Sequence, residues 1–157
     1  MPVESGGRLT FELDPVEGAE VGLSAGDTAP MLGGYAMVQV VEFPADGTDQ
    51  IMLTVDSGDC RSGLVVSEDQ VIATTDGGQP MDSNAYDRTL PLWLRLLLLP
   101  DTIHYQVSTD GVTWTEVESK PACDLSNARP FLLAREGDTV DGATSMAVES
   151  FERCDPQ

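Results

Sequence analysis

The chain has one lysine, Lys120, and one histidine, His104, in 157 residues. Its 8 basic side chains face 27 acidic ones, a formal charge of −19. A surface of that sign repels phosphate backbones and anionic lipid, which argues against nucleic-acid and membrane-surface partners. The acids are scattered, so solvation is their ordinary reading and attraction of cations the sharper one. No apolar run approaches the ~20 residues of a membrane span; Leu96–Leu99, the most apolar stretch, stops at Pro100. No basic-then-apolar leader opens the chain, and Met1 is read as a start codon placed before an excised domain. Cysteine is also scarce. Cys60, Cys123 and Cys154 show no C-x-x-C spacing, and His104 lies far from all three in sequence, so a zinc or redox site lacks sequence support. One disulfide with one thiol left over suits a secreted chain, and three thiols suit a cytosolic one. Cys123 and Cys154, both beside loop-like sequence in the last quarter, are the expected pair, with other pairings open.

Helical periodicity is nearly absent too. What recurs is short β-rich runs, among them Arg8–Asp14, Glu20–Ser24, Tyr35–Phe43, Gln50–Asp56, Leu92–Leu99, Thr102–Ser108, Val112–Glu118 and Phe131–Arg135. Turn chemistry separates them: "PADGTD", "TTDGGQPMDSN", "LPDT", "STDG" and "EGDTVDGA". About eleven such runs in a chain that is 41% hydrophobic imply an all-β fold, a two-sheet antiparallel β-sandwich or barrel. One domain spanning 1–157 is expected, with 1–7 and 155–157 as flexible ends. Thr75–Asn84 reads as the longest loop.

The stretch from Trp93 to Val117 holds both tryptophans and the histidine. If Leu99–Thr102 is a two-residue hairpin connection, Leu94 faces Val107, Leu96 faces Tyr105 and Leu98 faces Ile103. That face is apolar and belongs in the core. The opposite face carries Trp93, Arg95 opposite Gln106, and Leu97 opposite His104. A one-residue slip would bury the arginine and the histidine, so the register is well determined. At the next turn, Gly111 in a left-handed bulge sends Trp114 to the mixed face opposite Gln106 and Val117 inward opposite Ile103. A type I′ turn at Asp110-Gly111 sends Trp114 to the core instead. The plain reading of the mixed face is packing, with Arg95 stacked on a tryptophan. The functional reading is a sugar platform: flat aromatics under pyranose rings, with Arg95, Gln106 and His104 donating to hydroxyls. Tyr86, Asp87 and Arg88 are expected at its rim.

The segment "PLWLRLLLLPDTIHYQVSTDGVTWTEV" resembles the signature of bacterial concanavalin-like (laminin-G-like) jelly-roll domains. "ESGGRLTFELDP", "GGYAMVQVV" and "ATSMAVESFERC" are similar to other strands of that family, although Ser150 and Glu152 depart from its usual closing strand. The resemblance spans most of the chain and is sharp over about 27 residues. It implies a concanavalin-like jelly roll, an extracellular or cell-surface setting, and non-catalytic binding of polysaccharide or glycan. A structural module for a protein partner is the alternative. The same fold hosts glucanases with alternating carboxylates on one strand. Here the nearest pattern is Glu149-Ser150-Phe151-Glu152, whose spacing puts the two acids on opposite faces unless a bulge intervenes. A Ser-His-Asp triad around His104 has no G-x-S-x-G elbow to support it. No cofactor is expected beyond a structural Ca²⁺, for which the oxygen-rich loop with Asp138 and Asp141 is the candidate.

Overall fold

The computed structural model describes residues 3–5, 7–13, 20–24, 28–43, 49–67, 69–75, 79–135 and 144–154. Among them the chain forms thirteen strands and no helix. They are β1 (Val3–Ser5), β2 (Arg8–Leu13), β3 (Glu20–Ser24), β4 (Gly34–Glu42), β5 (Gln50–Asp56), β6 (Arg61–Val66), β7 (Gln70–Thr75), β8 (Gln79–Ala85), β9 (Leu92–Leu98), β10 (Thr102–Ser108), β11 (Thr115–Pro121), β12 (Arg129–Arg135) and β13 (Thr144–Cys154). A seven-stranded sheet runs β1-β2-β13-β4-β9-β10-β11, and a six-stranded sheet runs β3-β12-β5-β6-β7-β8. Each strand pair for which a register is defined is antiparallel. The chain crosses repeatedly between the sheets, which builds a jelly-roll sandwich. Val3–Ser5, within a stretch expected as a flexible end, pairs with β2, and 155–157 lie outside the described residues.

Alternation explains the layers. Leu92, Leu94, Leu96 and Leu98 of β9 are buried, as are Phe11, Val38, Ile103 and Tyr105 in the same sheet. They pack against Ile51, Leu53, Leu64, Val71 and Leu132 of the six-stranded sheet. Each fully buried leucine contributes about 1.5–3 kcal/mol through removal of apolar surface from water. The expected hairpin register holds: Leu98 pairs with Ile103, Leu96 with Tyr105 and Leu94 with Val107. The Leu99 N–H donates to the Thr102 carbonyl at 2.9 Å and closes the turn.

Three expectations change. The loop expected at Thr75–Asn84 contains β8, an edge strand with mostly exposed side chains on both faces and Pro80 near its start. With neither face buried it carries no alternating pattern. The strand expected from Val112 begins instead at Thr115. The Asp110 carboxylate accepts the N–H groups of Val112 (2.8 Å) and Thr113 (2.7 Å), which removes both from the ladder. Ser108 Oγ donates to that carboxylate and accepts the Gly111 N–H at 2.9 Å, while Gly111 takes φ +72°. Gln106 therefore faces Glu116 rather than Trp114. Val117 is buried as expected, but in a bulge beside Tyr105 and Gln106, and Ile103 pairs with Lys120.

The third correction is the disulfide: Cys60 pairs with Cys123, at a Cα separation of 6.0 Å, and Cys123 does not pair with Cys154. Cys60 ends the β5–β6 connection and Cys123 follows β11, and these segments meet at one end of the sandwich. There the Ser57 hydroxyl also donates to the Asp124 carbonyl at 2.8 Å. Cys154 sits on β13, four positions from β11 across the seven-stranded sheet, so nearness in sequence misled the pairing.

Two outcomes follow. Reduction, or Cys60→Ser, should lower stability by about 2–4 kcal/mol. At roughly 2–4 °C per kcal/mol, a thermal melt should fall by about 4–16 °C. Cys154→Ser should leave it in place, and an unmoved melt on reduction would contradict the assignment. The backbone N–H groups of Thr113 and Val112 and the Ser108 hydroxyl hold the Asp110 carboxyl well below its ordinary value of 3.8. A depressed folded-state pKa gives stability that is full above the unfolded value and is lost as pH falls below it. The melting gap between wild type and Asp110→Ala should be full at neutral pH and shrink below pH 3.8; a gap independent of pH would refute the turn's dependence on that charge.

Candidate functional site

The outward face of the seven-stranded sheet gathers polar and aromatic side chains in rows across the strands. One row runs Glu149–Gln39–Trp93–Ser108. The next runs Glu152–Met37–Arg95–Gln106–Glu116, and a third Cys154–Tyr35–Leu97–His104–Ser119. The structure therefore brings Trp93, Arg95, Gln106 and His104 together as expected. Trp114 joins them from the loop ahead of β11, not from a strand.

Arg95 is the hinge of this face. Its Nε and Nη2 donate to Gln106 Oε1 at 2.9 and 2.7 Å, and its Cζ lies 3.9 Å from the centroid of the Trp114 ring. Partial desolvation pulls the guanidinium pKa down from its ordinary value, with Tyr35 opposing. It stays charged at neutral pH. Trp93 is held from another direction: a Cβ at Gly111, where φ is +72°, would lie 3.1 Å from its Cε2, so glycine suits this turn's close approach to the indole. Both tryptophans are half-buried, each packed on one side and in contact with solvent on another.

His104 is also fixed from two sides. Its Nδ1 meets a Glu116 carboxylate oxygen, and its Nε2 lies 3.0 Å from the Thr102 hydroxyl. Sequence reasoning passed over Glu116, because the displaced start of β11 and the bulge at Val117 that set its place carry no local signature.

A second bulge shapes β13. Between Glu149 and Glu152 the strand gains one residue on β4, and Ser150 takes φ 53°, the one positive value at a non-glycine among the described residues. Glu149 pairs with Gln39 and Glu152 with Met37, so both carboxylates share the outward face. This is the condition under which the spacing allows them to work together. Glu149 also borders a small cleft of ≈ 310 Å³ with Gly7, Leu9 and Phe151.

Tyr86, Asp87 and Arg88, expected at the rim, make contacts of their own. The Tyr86 ring stacks on Phe43 with centroids 5.2 Å apart, and its hydroxyl donates to the Ser67 carbonyl at 2.7 Å. Arg88 lies over the same Phe43 ring at 6.0 Å. Asp87 accepts the Thr89 N–H and hydroxyl, which hold its pKa low. Tyr86 is a packing residue and Asp87 a turn residue. Asp138 and Asp141, the expected calcium ligands, lie outside the described residues. Among the described residues no group of three or more His, Cys, Asp and Glu could hold a metal ion.

The six-stranded sheet carries a separate outward trough of ≈ 590 Å³. Leu133, Met52, Val65 and Ile72 form its apolar row, Phe131 and Thr54 the next, with Arg61 and Arg135 at its margins.

No protein-family model and no curated protein sequence matches the chain. Solved structures do. A functionally unknown protein from Saccharomyces cerevisiae is similar at TM-score 0.67 and 18% identity, covering 100% of this chain and 92% of the other. A legume lectin-like domain from Entamoeba histolytica is similar at TM-score 0.67 and 10% identity, covering 99% and 87%. The catalytic domain of an endo-1,3-beta-glucanase (laminarinase) from Thermotoga petrophila RKU-1 is similar at TM-score 0.69 and 9% identity, covering 94% and 77%. At such identities the likeness shows the fold alone: this chain is a jelly-roll β-sandwich of the same concanavalin-like architecture.

Proposed function

We propose that this domain binds polysaccharide or glycan on the outward face of the seven-stranded sheet. The observation that carries the reading is the pair of partly exposed tryptophans, Trp93 on β9 and Trp114 in the loop ahead of β11, on the face that carries Arg95, Gln106 and His104. Flat rings offer a surface for pyranose faces, and the polar groups between them can meet hydroxyls. The lectin-like and glucanase relatives in fold support a carbohydrate ligand without choosing between binding and hydrolysis. The disulfide between Cys60 and Cys123 supports an oxidising, extracellular setting. The trough on the six-stranded sheet supplies a surface for the alternative, a protein partner, and leaves the first face open.

A second reading, hydrolysis, is favoured by the β13 bulge. The β4 partners of Glu149 and Glu152, Gln39 and Met37, are two residues apart, a span of about 6.6 Å and within the ~5–9.5 Å range over which paired carboxyls act on one glycosidic bond. Binding remains the leading reading, because the tryptophan pair and the Arg95–Gln106 contact need no chemistry.

In a polysaccharide pull-down or glycan array, Trp93→Ala should weaken retention about tenfold or more, as loss of a central aromatic contact does. Met52→Ala, on the other sheet, should not. Failure of the folded protein to retain any glycan would sink the reading. Turnover of β-glucans is the measure of the second reading. Activity lost in both Glu149→Gln and Glu152→Gln would establish it, and no turnover by the wild-type chain would remove it.

A further inference from the structure

We infer that Thr102, His104 and Glu116 form a nucleophile–base–orienter relay, and that this face hydrolyses carboxylic esters on glycan hydroxyls. The glycan part rests on the binding reading above; the ester chemistry does not.

The three side chains come from neighbouring strands. Thr102 and His104 are two residues apart on β10 and so point to one face. Glu116 reaches them from β11, opposite Gln106, because of the displaced strand start and the Val117 bulge. A carboxylate has no proton to give, so the His104 nitrogen facing Glu116, Nδ1, carries the hydrogen. In the neutral ring this leaves the lone pair on Nε2, and that atom lies 3.0 Å from Thr102 Oγ1. The order is hydroxyl, then Nε2, then Nδ1, then carboxylate. An activated hydroxyl nucleophile requires that order, and it is recognised by geometry and not by position in the chain.

The relay is open to a substrate. The His104 side chain is 24% exposed and Glu116 45%. Leu97, opposite His104, and Tyr35 beside it offer apolar ground for a short acyl group. Thr102 Oγ1 attacks the ester carbonyl carbon and forms the new C–O bond. Its proton passes to His104 Nε2, which returns it to the departing alcohol oxygen as the old C–O bond breaks. Water then attacks the acyl-threonine, loses a proton to Nε2, and releases the carboxylic acid and the restored hydroxyl. Glu116 touches no substrate atom. It is a positioning residue that keeps the tautomer and supports the transient imidazolium.

The full chain is assayed with p-nitrophenyl acetate and, separately, for acetate release from O-acetylated xylan, with mass spectrometry after exposure to a fluorophosphonate. Expected are turnover of both esters and one phosphonate adduct on Thr102. Thr102→Val and His104→Gln should each lower the rate roughly a hundredfold or more and abolish the adduct, while Thr102→Ser restores both. Glu116→Gln should lower kcat with KM held, and Glu116→Asp should recover part of the loss. Thermal melts matching wild type show that these variants are folded. A purely structural hydrogen-bond ladder makes the same contacts but forms no adduct, so absence of labelling at Thr102, or turnover that survives Thr102→Val in a folded protein, overturns the relay. Turnover of p-nitrophenyl acetate without acetate release from the xylan overturns the glycan assignment. Glycan retention without any ester turnover leaves the binding reading standing and removes this one.

Discussion

The register between β9 and β10 is the constraint on which the rest depends. Side chains alternate along both strands, so one hairpin turn decides which residues enter the core and which look outward. With Leu99 closed on Thr102, four leucines of β9 fill the sandwich and Trp93, Arg95, Gln106 and His104 face out. A slip of one residue would drive a guanidinium and an imidazole into a space now occupied by Leu94, Leu96 and Leu98. The penalty for burying such groups without partners far exceeds any gain in backbone hydrogen bonding. The composition of the outward face is therefore a by-product of a well-packed core, and the site inherits the core's rigidity.

On that frame, three departures from regular strand geometry give the face its detail. Asp110 gathers the Val112 and Thr113 N–H groups and frees Trp114 from the ladder, which lets its ring meet Arg95. The bulge at Val117 buries an apolar residue and sets Glu116 opposite Gln106 on the outward face. The bulge at Ser150 turns Glu152 toward the same side as Glu149. Each interrupts a regular ladder, and each sets where a charged or aromatic side chain stands. β-Bulges are recurrent devices for this purpose.

The legibility of the chain follows from the same physics. Strands buried on one face, such as β9 and β10, carry strict alternation and a turn between them, and their pairing could be written residue by residue before any coordinates. The sandwich followed from the recurring β-rich runs along the chain, and the jelly-roll resemblance was sharpest in this same stretch. β8 was illegible because an edge strand exposed on both faces has nothing to alternate. The disulfide was missed because Cys60 and Cys123, 63 residues apart, meet through the topology of two sheets and not through local spacing. The contacts of Tyr86 with Phe43 and the Ser67 carbonyl join segments distant in sequence and leave no local trace. Glu116 depended on the length of one loop, set by a single carboxylate. Local patterns report burial; they do not report which distant segments a sandwich brings together.

The central claim is that ligand meets this protein on the outward face of the seven-stranded sheet. The two tryptophans make that claim directly observable, since their indole N–H groups give two separate amide-region resonances. A heteronuclear NMR titration of the intact chain with neutral oligosaccharides measures it. The account predicts that the Trp93 and Trp114 indole signals, together with the backbone signals of Arg95, His104 and Gln106, shift with a common saturation curve. Shifts confined to Met52, Ile72, Phe131 and Leu133 on the other sheet, or no saturable shift with any oligosaccharide, would contradict it.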